Sequence, residues 1–192
     1  DYVLTNDEIS RMVDTNDEWI MTRIGVKERH ILNEEGLGSS YMARKAAKQL
    51  MKKTGANPDD IDLVVVATTA PDYHFPSTAS ILCDKLGLKN AFAFDLQAAC
   101  SGFLYLMETA ANFIRSGRYK KIIIVGADKM SSMVNYTDRA TCPIFGCLYG
   151  GAHYGRLRNH GFDTENRWQR FAFPPHESWW FGLSSVLFHS RQ

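Results

Sequence analysis

Apolar positions along this chain come in two spacings, and the alternation between them sets the expected order of elements. In Thr5-Asn6-Asp7-Glu8, cap-forming residues and two acids precede Ile9, Met12 and Val13, which predicts a helix start. Asp14-Thr15-Asn16-Asp17-Glu18 repeats that signal before Trp19 and Ile20 and predicts a second, short helix. Residues 26–31 read as a strand. Residues 39–53 put Met42, Ala46, Leu50 and Met51 on one face and lysines on the other, a strong amphipathic helix that Gly55 ends.

Beyond Gly55 the period shortens. Ile61-Asp62-Leu63-Val64-Val65-Val66-Ala67-Thr68 is β-branched and almost wholly apolar, as a strand covered on both faces should be. Pro71 and Pro76 punctuate the loop after it. A helix over residues 78–86, a strand over 91–96, a long helix over 101–116 ending at Gly117, and a buried strand over 121–126 follow. Strands alternating with helices of this length indicate βαβ units and a mainly parallel sheet, so the fold class is α/β.

Composition narrows the function classes. The chain has 192 residues, 45% of them hydrophobic and 22% charged, which suits a globular protein with a real core. Its 22 basic and 21 acidic residues leave a net charge of +1, so no global field argues for nucleic acid or a membrane surface. No stretch approaches the length of a membrane span. Four cysteines without a CxxC pair read as free thiols in a reducing compartment, so a cytoplasmic location is expected. The first residue is Asp1 rather than Met, so the natural start is expected upstream.

Cys100 is the candidate nucleophile. It follows the apolar run 91–96 in Phe94-Asp95-Leu96-Gln97-Ala98-Ala99-Cys100-Ser101-Gly102-Phe103, and a helical pattern begins at or just after it. That places a thiol at a strand-to-helix elbow, near the positive end of a helix dipole, where thiolate is favoured. Its neighbours are small and leave room for a substrate. Taken alone, such a residue is more often a small buried hydrophobe. By the same standard Trp19 alone reads as a half-buried core aromatic, Arg139 as a surface ion pair, and Phe75 equally well as a loop anchor.

Six segments in order change that balance: residues 14–25, Val65-Val66-Ala67-Thr68-Thr69, Phe75-Pro76-Ser77, Ala98-Ala99-Cys100-Ser101-Gly102-Phe103, Val125-Gly126-Ala127-Asp128, and Asp138-Arg139-Ala140-Thr141 leading to Ile144-Phe145-Gly146. On these, residues 1–146 closely resemble the first half of β-ketoacyl-acyl carrier protein synthase III, a thiolase-fold family. The resemblance implies the N-terminal half of a thiolase-like layered fold with a mainly parallel or mixed central sheet. It implies an acyltransferase that loads an acyl group from acetyl-CoA or another acyl-CoA onto Cys100. Condensation with malonyl-acyl carrier protein would then initiate fatty acid synthesis. It gives Trp19 and Arg139 as the pair that sandwiches the CoA adenine, Thr15 and Arg23 as further CoA contacts, and Phe75 as a residue crossing a homodimer interface. No cofactor and no metal are implied, acyl-CoA being a substrate. The alternatives are a catalytically incomplete fragment and another thiolase-fold condensing enzyme; Thr15 to Trp19 together with Arg139 favour the synthase III reading over the latter.

The pattern breaks after Gly146. The family continues into an Asp-Gly-Ala-rich strand and a second half that supplies a catalytic His and Asn. Here Cys147-Leu148-Tyr149-Gly150-Gly151-Ala152-His153 follows, and residues 147–192 hold five Arg and no Lys, against ten Lys and seven Arg before them. No sustained periodicity is visible there beyond residues 181–188. The expected organisation is a thiolase-like half over 1–146 and an aberrant, poorly ordered tail over 147–192. The genetic code offers a source. Trp179-Trp180-Phe181 (TGG TGG TTY) moved on by one base reads Gly-Gly and then Ser or Leu, and synonymous codons for residues 176–182 then yield Met-Lys-Ala-Gly-Gly-Ser. That string resembles the family's missing region, so the tail is expected to be a frameshifted readout. A metal site built from Cys142, Cys147, His153 and His160 matches no zinc spacing.

Overall fold

The computed structural model describes residues 2–148, 150–154 and 183–189. At the N-terminus, β1 (Tyr2–Thr5) pairs antiparallel with β2 (Glu28–Ile31), Tyr2 lying opposite Ile31. The first strand was not legible in the sequence because Thr5 serves twice. It ends β1 and caps α1 (Asn6–Met12) in a capping box, its hydroxyl accepting from the Glu8 N–H at 3.3 Å while its own N–H donates to Glu8 Oε2 at 2.9 Å. Asn16 caps α2 (Asp17–Arg23), its Oδ1 accepting from the Trp19 N–H at 2.8 Å. The strand expected over residues 26–31 shortens to β2 because the Val26 carbonyl turns aside to accept from Asn6 and Arg29.

The main sheet is built as the apolar runs require. α3 (Ser39–Thr54) closes on Gly55 at φ +66°, a left-handed turn that glycine adopts without a Cβ penalty. β3 (Leu63–Ala67) follows, buried at every position. α4 (Thr78–Leu86), β4 (Phe92–Leu96), α5 (Gly102–Arg115) and β5 (Lys121–Gly126) complete two βα crossovers. β3 lies parallel to both β4 and β5, with Ala67 opposite Leu96 on one side and Gly126 on the other. The short β6 (Asp128–Lys129) pairs antiparallel with β7 (Cys147–Leu148).

Within the segment expected to form a tail, β8 (Gly150–Tyr154) and β9 (Leu183–His189) extend the sheet to the order β4-β3-β5-β9-β8. β9 runs antiparallel to β5 and parallel to β8, so the sheet is mixed. β9 coincides with the one periodic stretch of that segment; Gly150-Gly151-Ala152 in β8 carries no such signal. The other residues of 147–192, His160 and Trp179-Trp180 included, lie outside the described residues.

Packing follows from strand alternation. Val64, Val66, Ile123 and Val125 meet Ala43, Ala47, Leu50, Ala79 and Leu82 of α3 and α4 on one face. Leu63, Val65, Ile122 and Ile124 meet Leu106 and Ala110 of α5 on the other. Each such aliphatic side chain contributes about 1.5–3 kcal/mol by leaving water. A separate cluster of Leu4, Ile9, Ile20, Ile31 and Cys142, with Trp19 against it, joins the N-terminal elements to residues 134–142. No described helix is long and apolar enough to cross a membrane.

Candidate active site

Three parallel strands deliver their following loops to one edge of the sheet, where ligands of α/β sheets collect. The loop after β3 carries Phe75, the turn after β4 carries Cys100, and the chain after β5 leads through β6 to Arg139. Asp128 anchors this edge. Its Oδ1 accepts from the Thr68 hydroxyl at 2.9 Å, the Thr69 N–H at 2.6 Å and the Ala70 N–H at 3.1 Å, so the β3 loop starts from a fixed direction. Asp95 anchors its other side, accepting from the N–H groups of Thr78 and Ala79 at 2.7 and 2.8 Å at the start of α4. Neither carboxylate was read from the sequence as part of the site. An acid inside the apolar run 92–96 is the signal that pointed to Asp95.

The Cys100 turn is strained. Residues Ala99–Ser101 form one turn of 3-10 helix before α5, and Ala99 holds φ +44°, a region that costs a residue with a Cβ about 1–3 kcal/mol. The Ser101 N–H closes the turn on the Ala98 carbonyl at 3.0 Å. Gly102 lets α5 begin hard against β3, since a Cβ there would stand 3.0 Å from that of Ala67. The helix expected over residues 101–116 thus begins one residue later, at Gly102, and Cys100 stands in the 3-10 turn just before it. Its thiol is exposed, whereas Cys83 is half-buried and Cys142 buried. Burial pushes the Cys83 thiol up to about 11 and Cys142 upward too, so both are poor nucleophiles near neutral pH.

Trp19 and Arg139 meet although 120 positions apart: the Arg139 guanidinium carbon lies 4.9 Å from the indole centroid. The loop bearing Arg139 is set by Asp138, whose carboxylate accepts from the Ala140 N–H at 2.9 Å and the Thr141 hydroxyl at 2.6 Å. Those bonds, the Thr141 one foremost, hold Asp138 below the usual carboxylate range. An aromatic ring between the indole and the guanidinium needs about 7 Å, two van der Waals layers. The pair is closed on itself, and a ligand ring would enter by displacing Arg139, at a cost of about 0.5–1 kcal/mol for the exposed cation–π contact. Thr15 and Arg23 bracket Trp19 at the two ends of α2. Thr15 Oγ1 is shielded from solvent without a hydrogen-bond partner among the described residues, while Arg23 is exposed. Phe75 is 90% exposed at the loop tip. Among the described residues no group of His, Cys, Asp or Glu side chains could hold a metal ion.

These features define a class: an α/β protein presenting an exposed thiol on a strained strand-to-helix turn, together with an aromatic–guanidinium pair suited to a planar ligand. Comparison with known proteins narrows the class. Residues 94–152 match the family model described as 3-oxoacyl-[acyl-carrier-protein] synthase III. The chain is 96% identical over 146 residues to β-ketoacyl-[acyl-carrier-protein] synthase III 2 of Bacteroides thetaiotaomicron, which covers 76% of this chain and 44% of that protein. It is 90% identical over the same length to the synthase III of Phocaeicola vulgatus, with the same two coverages. The crystal structure of the Aquifex aeolicus 3-oxoacyl-[acyl-carrier-protein] synthase III superposes with a TM-score of 0.72 at 46% identity, over 76% of this chain and 46% of that one. The priming β-ketosynthase of the R1128 polyketide pathway superposes at 0.73 with 32% identity, over 76% and 43%. Over its N-terminal portion the chain belongs to the β-ketoacyl-acyl carrier protein synthase III family and has its thiolase-like fold. It spans a little under half the length of these curated relatives.

Proposed function

We propose that this chain carries the acyl-loading part of a β-ketoacyl-acyl carrier protein synthase III. The Cys100 thiolate attacks the carbonyl carbon of acetyl-CoA or another acyl-CoA; the new C–S bond forms as the bond to CoA breaks, and the CoA thiolate leaves and takes a proton. Sulfur suits this exchange because it is both a strong nucleophile and a good leaving group. Trp19 and Arg139 take the adenine between indole and guanidinium, with Thr15 and Arg23 contacting CoA from either end of α2. Malonyl-acyl carrier protein then loses carbon dioxide, its carbanion attacks the acyl carbonyl, and the Cys100 thiolate departs from a β-ketoacyl product.

The observation that carries this reading is the exposed Cys100 on its strained turn, at the same sheet edge that leads to the Arg139 loop. Phe75, 90% exposed, and Tyr73, 64% exposed, support a homodimer in which Phe75 enters the partner's acyl pocket. A cytoplasmic site of action fits free thiols. Condensation itself is assigned to partners outside residues 1–146, a His and an Asn of the family's second half. Residues 147–192 are read as a frameshifted segment of the same gene, on the change in Arg and Lys usage after Gly146. Sequencing the coding DNA tests that point: an intact downstream frame encoding Asp-Gly-Ala and later His and Asn supports it, and its absence refutes it.

Labelled acetyl-CoA tests the loading step. The chain is expected to retain label on Cys100, Cys100→Ser to retain none, and neither to release a β-ketoacyl product when malonyl-acyl carrier protein is added. Label on another residue would refute the assignment of Cys100.

A further inference from the structure

Arg29, on β2, is 3% exposed and makes no ion pair among the described residues. Its guanidinium is spent instead on uncharged acceptors drawn from three places. Nε and Nη2 both donate to the Pro143 carbonyl, at 2.8 and 2.5 Å; Nη2 also reaches the Val26 carbonyl at 3.3 Å, and Nη1 donates to Asn6 Oδ1. Asn6, equally buried, passes the link on: its Nδ2 donates to Asp17 Oδ1 at 2.7 Å and to the Val26 carbonyl at 3.1 Å. Burial lowers the Arg29 pKa to about 10, with the Asp17 carboxylate opposing the shift, so it stays a cation near neutral pH.

An apolar residue of similar volume could fill this space at lower desolvation cost. What it could not do is fix two carbonyls and an amide relative to one another. Those acceptors are the ones that matter for the clamp. Asp17 opens α2, which carries Trp19; Val26 follows α2 by three residues; Pro143 follows Arg139 by four. Gly146 seals the arrangement, since a Cβ there would stand 2.9 Å from the Arg29 Cβ and 3.1 Å from the His30 carbonyl oxygen.

We propose that Arg29 is the positioning residue of the Trp19–Arg139 pair: its planar fork fixes α2 against the loop 134–145 and thereby sets the affinity for the adenine end of CoA. This rests on the CoA reading given above. A lysine in place of Arg29 would keep the charge but offer a single point donor instead of a fork, so Arg29→Lys isolates geometry from charge. The full chain is titrated calorimetrically with CoA. It is also labelled with fluorotryptophan for fluorine NMR, the Trp19 signal being assigned with Trp19→Phe, and Cys100 alkylation by iodoacetamide is timed.

Arg29→Lys is expected to weaken CoA about tenfold through misplacement of the pair. It should also move the Trp19 resonance toward its position in Arg139→Ala. Cys100, on a different element, should alkylate within about twofold of its native rate. Trp19→Ala controls the underlying reading: if it binds CoA as the native chain does, the clamp assignment fails and this proposal with it. If Trp19→Ala weakens CoA while Arg29→Lys leaves affinity and resonance unchanged, the role of Arg29 is overturned and the clamp stands. Affinity lost with the resonance unmoved and Cys100 alkylation accelerated marks general loosening and also overturns it. Should Arg29→Lys fail to fold, Asn6→Ala removes the bridge from Arg29 to Asp17 and one donor to the Val26 carbonyl while leaving both Arg29 bonds to Pro143, and is read by the same two signals; no change in either overturns the proposal.

Discussion

Cys100 and the Trp19–Arg139 pair rest on regions held together by different chemistry. Around β3 and β5, aliphatic side chains fill both faces of the sheet against α3, α4 and α5. Around α2, Trp19 packs against a small apolar cluster, and two buried polar residues add directional bonds: Arg29 and Asn6, both 3% exposed, wired to Asp17, Val26 and Pro143. Apolar burial is non-directional and tolerates changes that keep volume. A hydrogen-bonded hub needs every partner, because an orphaned buried group carries its full desolvation penalty. The Cys100 thiol therefore sits on the forgiving region, and the pair proposed to hold the nucleotide on the exacting one.

That contrast breaks most sharply at Cys100 itself. Cys100→Ser should lower acyl loading by about 10³-fold or more while the urea midpoint stays put, because the side chain is exposed. Ile123→Ala, at a fully buried position of β5, should cost about 2–5 kcal/mol in urea unfolding yet leave the CoA affinity of the folded chain intact. Asp128→Ala strips the Thr69 N–H of its acceptor, leaves the Ala70 N–H with only the Thr68 hydroxyl, and should cost about 1–3 kcal/mol. It should also raise the mobility of the loop that carries Phe75, read as faster amide exchange there than in β3.

The smallest effect lies at the surface of the N-terminal region. The Tyr2 hydroxyl, then the Thr5 backbone and hydroxyl, hold the Glu8 carboxyl down to about 2 from an ordinary 4.5. The folded-state value lies below the unfolded one, so the ionised carboxylate is the form that folding favours. Its contribution is complete above about pH 4.5 and is lost as pH falls toward 2. Glu8→Gln should flatten the acid-unfolding curve in that window only, and an unchanged curve would show that this bond is not formed in solution.

What was legible in the sequence follows the same division. The apolar runs gave β3, β4 and β5 to within a residue or two, because burial on both faces writes itself into composition. Their ends moved where side chains intervene: Asp62 takes the N–H groups of Lys120 and Lys121, and the Thr68 hydroxyl turns to Asp128. The polar hub was illegible, since nothing local distinguishes Arg29 in Glu28-Arg29-His30 until the Pro143 carbonyl arrives from 114 positions away. The left-handed Ala99 gave no signal either, alanine being an ordinary helix former. Trp19 and Arg139 were recognised only through the resemblance, and their direct contact, too close to admit a ring, emerged from the structure.

The central claim joins the two regions: Cys100 is loaded from a donor whose adenine is held by Trp19 and Arg139. It is tested most directly by comparing loading rates from acetyl-CoA and from acetyl-pantetheine, the same thioester without the nucleotide, in the native chain and in Trp19→Ala. The account predicts label on Cys100 from both donors, faster from acetyl-CoA by about tenfold in the native chain, with the advantage collapsing in the variant. Equal rates from the two donors in the native chain, or an advantage that survives Trp19→Ala, would contradict it.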